Sequence, residues 1–193
     1  MGTVAAATPV PSTMGRLEMA WEQAVRGTKR AVLAATVTAV LVAQALPSSV
    51  AVRIASAAVG VLLVAAALVD IHERRLPNRL LMLGGTIAVA GAVLADDRSI
   101  LLGAVLGGSI AGASMLIVRL TRGVGMGDVK AAIVVGASAG SVTLVAAPVA
   151  IAVTSFVAAA YGLLAHRARV PLGPSLWIGW ALALFGTSSG WWS

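Results

Sequence analysis

Seven apolar runs, at about 31–46, 51–69, 80–95, 100–118, 129–139, 142–165 and 175–187, follow one another with only short polar breaks. A soluble fold of 193 residues has too little interior to hide them. Charged residues make up 11% of the chain, against ~25% in soluble domains. The expected architecture is therefore all-α: a polytopic membrane helix bundle with about seven transmembrane helices. The first span is an addition to a six-helix core at about 51–188. No separate soluble domain is expected.

Residues 1–13 are small, proline-containing and aperiodic, which predicts a disordered tail. Over 14–30, Met14, Leu17, Trp21 and Val25 recur at helical spacing with Arg16, Glu18, Glu22 and Arg26 between them. That pattern predicts an amphipathic helix lying in the membrane interface. The expected organisation is thus a tail and interfacial segment over 1–30 and a transmembrane helical domain over 31–193. Lys29-Arg30, the apolar run and Ala43-Gln44-Ala45 also imitate a cleaved signal peptide, although that run starts late for one.

The net charge of +7 does not point to nucleic acid, because the cations lie in short loops between apolar runs. With the N-terminus in the cytoplasm, only Arg53 and Arg98 of the fourteen cations face outward. Cysteine is absent, so thiolate catalysis and Cys-ligated zinc are excluded. The two histidines, His72 and His166, have no ligand spacing, so neither a metal nor a cofactor is expected.

Only seven acids occur, and two of them stand as single acids directly at ends of apolar runs. Asp70 closes the second run and opens DIHERRLPNR; Asp128 lies in Gly125-Met126-Gly127-Asp128-Val129-Lys130 at the mouth of the fifth. The cation count puts both on the cytoplasmic side. Acids in lipid cost several kcal/mol at mid-bilayer and less at the edge. Two carboxylates brought together share a proton and titrate as one unit. One then takes a proton from water while the other polarises a peptide carbonyl. Gly125 and Gly127 let the backbone turn sharply and a substrate strand approach. The fifth run, at about 16 Å, is too short to span, so Asp128 should sit recessed. Simpler readings stand beside these. Gly-Asp before an apolar run is an ordinary helix start, and Asp70 can pair with Arg74 or Arg75. Gly103, Gly107, Gly108 and Gly112 form two GxxxG pairs, which read as helix packing.

Together these residues resemble the type IV prepilin peptidase family, membrane aspartyl proteases of the GxGD kind. One family motif is an aspartate at a helix end, a basic stretch and Pro-Asn, here Asp70, IHERRL and Pro77-Asn78. The second is GxGD with Val-Lys, here GMGDVK. The third is a late Pro-x-Gly-Pro, here Pro171-Leu172-Gly173-Pro174. The resemblance implies that Asp70 and Asp128 are the catalytic pair. Gly125, Gly127, Lys130, Pro77, Asn78, Pro171, Gly173 and Pro174 are then substrate-binding or structural residues near them. It further implies removal of a basic leader from prepilin or pseudopilin substrates at the cytoplasmic face of a bacterial inner membrane. Many larger members carry a CxxC-bearing domain associated with methyl transfer; with no cysteine in this chain, the resemblance is to the short peptidase-only form and methyl transfer is not expected. Two sources of attraction for such a substrate are expected: anionic lipid, and acidic residues early in the mature pilin that meet Arg74, Arg75 or Lys130. Two other classes remain open on residues alone: a small proton- or cation-coupled transporter using the same acids, and a non-catalytic assembly component of a pilus or secretion system.

Overall fold

A computed structural model describes residues 13–73, 75–120, 124–164, 166 and 170–191, with side chains from residue 27 onward. The tail, the side chains of the expected interfacial helix, and Arg74, Arg122, Arg167, Arg169 and Trp192 lie outside this set. Among the described residues all regular structure is helical: α1 (Thr13–Gln44), α2 (Val50–Glu73), α3 (Asn78–Leu94), α4 (Arg98–Leu120), α5 (Met126–Gly140), α6 (Ala146–Leu164) and α7 (Leu172–Ser188). The chain divides into two units, Met1–Ala34 and Ala35–Ser193. In the first, the helix begins at Thr13 and Gly27 to Arg30 are exposed. The second contains the hydrophobic core.

The expected interfacial helix and first span are one helix, α1, not two. Nothing between Arg26 and Ala31 breaks a helix except Gly27, and a single glycine costs only ~1 kcal/mol. The helix stops before Pro47. Helices α2, α4 and α6 are each long and apolar enough to cross a membrane, and α3 is a shorter apolar helix.

The packing follows the rule for lipid rather than for water. On α4 the buried residues are Ala104, Gly107, Gly108, Ala111, Gly112 and Met115, whereas Leu102, Val105, Leu106, Ile110 and Ile117 are exposed. Burying glycine and exposing leucine is unfavourable in water. It is natural where lipid tails cover the leucines and close backbone approach supplies the attraction. The partner surface is α5. A Cβ on Gly107 would strike the Gly136 carbonyl and lie 2.9 Å from Gly140 Cα, and one on Gly103 would strike the Gly140 carbonyl. Gly136 and Gly140 therefore complete a small-residue interface with the α4 glycines.

The centre of the core is Trp180 of α7, fully buried, with its indole N–H donating to Ser138 Oγ at 3.1 Å. Gly60 of α2 leaves the space its ring occupies, since a Cβ there would lie 2.5 Å from the ring. Outside the core, Asp97 starts α4. Its Oδ1 accepts hydrogen bonds from the Ser99 N–H at 2.8 Å and the Ser99 hydroxyl at 2.7 Å. Those two donors hold the exposed Asp97 carboxyl below the usual carboxylate range.

Three variants test this packing and capping. Gly107→Val, which must push the α5 backbone away, lowers unfolding free energy in mixed micelles by about 3 kcal/mol or more. Gly85→Ala meets only Val134 Cγ2 at 3.6 Å, so it is neutral or stabilising by up to about 1 kcal/mol. For Asp97, the folded carboxyl titrates below its unfolded value. Its contribution is therefore full above about pH 3.9 and is lost as pH falls through the lower folded value. Stability measured against pH in that acid range should lose this slope in Asp97→Ala.

Candidate active site

The inward stripe of α2 runs Val52, Ser56, Val59, Leu63, Ala66, Ala67 and Asp70. Asp70 is the last position on that stripe, about two helical turns beyond Leu63, and for that reason it is buried, with 5% of its surface exposed. The helix does not stop at Asp70 but continues to Glu73. Arg75 pairs with Glu73 at 2.7 Å in solvent, so it is not the partner of Asp70.

The partner of Asp70 comes from the far end of the sequence. Asp70 Oδ2 accepts a hydrogen bond from the backbone N–H of Gly173 at 2.8 Å. Gly173 is the second residue of α7, whose N-cap is Pro171. A helix start has N–H groups with no intrahelical acceptor. In Pro171-Leu172-Gly173-Pro174 two of the residues are prolines and carry no N–H. The Gly173 N–H is satisfied by the carboxylate. The positive end of the α7 dipole also faces that carboxylate.

Asp128 is the third residue of α5, not its first. Its Oδ2 accepts from the N–H of the N-cap, Gly125, at 2.9 Å, the carboxylate half of a capping box. Gly125 has φ −80° and ψ 164°, extended backbone open to any residue. The expectation that glycine is needed there for a sharp turn is therefore corrected. What a side chain at Gly125 would meet is the Asp128 carboxylate itself, 3.3 Å away. A Cβ on Gly127 would touch Leu76 Cβ at 3.4 Å, ordinary contact. Helix α5 has 15 residues, about 22 Å at 1.5 Å per residue. It is longer than the run suggested but still short of a ~30 Å hydrocarbon layer. Val124 and Leu76 pack against the core on either side of this corner.

A second tie joins two of the sequence motifs. Lys130 Nζ donates to Asn78 Oδ1 at 3.0 Å. Pro77 is the N-cap of α3, so Asn78 is that helix's first residue. Lys130 and Arg75 each already have a partner within the chain, Asn78 and Glu73, which narrows their role as receptors for acidic pilin residues.

The end of α2 and the starts of α3, α5 and α7 thus meet in one place. The structure brings together Asp70 with Gly173, Asp128 with Gly125, Gly127 with Leu76, and Lys130 with Asn78. Asp128 lies close enough to Asp70 to feel its charge. Pro171 is the N-cap of α7 and Pro174 lies in its first turn. Among the described residues nothing donates to Oδ1 of either aspartate. Among the described residues, each carboxylate is thus held through Oδ2 alone. The residue that sequence reasoning missed is Leu76, whose contact with Gly127 depends on where the loop before α3 settles. The partnership of Gly173 with Asp70 was signalled only faintly, by a helix start placed near a buried acid.

The Lys130–Asn78 tie predicts coupling between the starts of α5 and α3. A double-mutant cycle with Lys130→Met and Asn78→Ala, read by unfolding, should give an interaction of roughly 0.5–1 kcal/mol, modest because both groups reach solvent.

Searches of curated proteins and of solved structures returned no match. The type IV leader peptidase family matches residues 57–163, more than half of the chain and inclusive of both aspartates. With its helical bundle, its membrane-length apolar helices and a peptidase family covering the site, the chain belongs to the type IV leader peptidase family.

Proposed function

We propose that this chain is an aspartyl endopeptidase that removes the basic leader from prepilin-like proteins at the cytoplasmic face of a bacterial inner membrane. The observation that carries the reading is the meeting of two aspartates from separate motifs at one corner of an apolar bundle. Each is anchored through Oδ2 to a helix start. Family membership supplies the reaction class.

The chemistry follows from the pair. With one proton between two carboxyls, the ionised partner removes a proton from a water molecule and the water oxygen attacks the scissile carbonyl carbon. The protonated partner gives its proton to the carbonyl oxygen. Collapse of the tetrahedral intermediate passes a proton to the departing amine, breaks the C–N bond and returns the pair to its starting protonation. Neither metal nor covalent intermediate is required by this sequence of steps. The apolar pilin helix lies along the bundle in lipid while its basic leader stays at the surface, so the bond between them falls near the level of Asp70 and Asp128. The basic loops do not themselves attract a basic leader, and anionic lipid supplies that attraction.

Replacing either acid with its amide should stop the reaction. Asp70→Asn and Asp128→Asn each reduce prepilin cleavage at least about 10²-fold while the protein still inserts. Co-expression with a tagged prepilin and a mobility assay reads the result. Cleavage at the wild-type rate by either variant removes that residue from the pair.

A further inference from the structure

Gly173 lies beyond the stretch matched by the family, and its place suggests more than packing. A carboxylate on a helix can rotate, and one fixed bond decides which oxygen is committed and which is available. For Asp70 that bond is the Gly173 N–H to Oδ2, at 2.8 Å in a buried setting. Gly173 is itself buried.

We propose that Gly173 is a positioning residue for Asp70: its backbone N–H orients the carboxylate and leaves Oδ1 to react. The inference rests on the reading of Asp70 as one of the two reacting acids. The absence of a side chain is part of the device. A Cβ at position 173 would lie 2.9 Å from Ala67 Cα, 3.1 Å from Asp70 Cβ and 3.1 Å from Asp70 Oδ2. The Ala67 Cα belongs to the α2 backbone and cannot yield as a flexible side chain can. The α7 start must then move away from α2, and the hydrogen bond lengthens or the carboxylate turns. Small errors of placement, on the order of 1 Å, cost about 10²-fold in rate. A positioning role places the loss in the chemical step rather than in binding.

The test uses the full chain in liposomes of zwitterionic and anionic phospholipid. The probe is a synthetic peptide with a lysine-rich leader joined to ~20 apolar residues. Two variants are compared: Gly173→Ala, and a backbone ester in which glycolic acid replaces Gly173, removing the N–H while keeping its shape. The expected result in both is a kcat lower by about 10²-fold with KM changed by less than about threefold. Unchanged kcat in the ester variant overturns the proposal. A raised KM with kcat held also overturns it, because Gly173 would then contact substrate. A second readout does not depend on cleavage. In protein labelled with ¹³C-aspartate, the Asp70 carboxyl infrared band is identified by its loss in Asp70→Asn. A shift of that band in the ester variant supports the positioning bond, and an unmoved band overturns it. Failure of the wild-type chain to cut the probe counts against the peptidase reading, and the infrared result then decides the Gly173 bond separately.

Discussion

A helix start must find acceptors for its first N–H groups, and this need organises the site. The start of α5 is met by Asp128 and the start of α7 by Asp70. A carboxylate suits the task because a helix start is electropositive as well as rich in donors. On the proposed reading, capping and catalysis do not compete for these residues. The hydrogen bond that completes a helix also fixes one oxygen of an acid and leaves the other for chemistry. The Asp70 bond is the more consequential, since it joins residues 103 positions apart and ties the last helix to the end of the second.

The rest of the bundle lets those ends meet. Glycine and alanine line the α4–α5 contact, and the large aliphatic side chains of α4 face outward. With little hydrophobic drive between helices in lipid, close backbone approach and van der Waals contact hold the pair. The same economy appears where α7 approaches α2, at Gly173 against Ala67 and at Gly60 against Trp180. Short connections reverse the chain between successive helices, so the end of α2 and the starts of α3, α5 and α7 gather at one end of the bundle. The Lys130–Asn78 bond and the Leu76–Gly127 contact close that end.

Much of this was legible from residue pattern. Six of the apolar runs correspond to α2 to α7, because apolar stretches in lipid have few alternatives to helix. The GxxxG pairs of α4 were readable as packing, although their partner was not, since a small residue announces close approach without saying to what. The amphipathic stretch and first apolar run merged into α1, a boundary that periodicity marked by composition alone. The role of glycine in GMGDVK was misjudged: a Gly-x-Gly pattern suggests a turn, whereas Gly125 adopts ordinary extended geometry.

What the amino-acid order determined by itself was the helical class, the family and the two acids, because hydropathy and short motifs are local properties. Tertiary structure alone decided that Arg75 would turn to Glu73, that Lys130 would reach Asn78, and that the donor for Asp70 would be a backbone N–H of α7. No side-chain code announces a backbone donor. Its availability depends on where a helix begins and on how closely two helices can approach, and for Asp70 both conditions are met by a glycine without a Cβ pressed against Ala67.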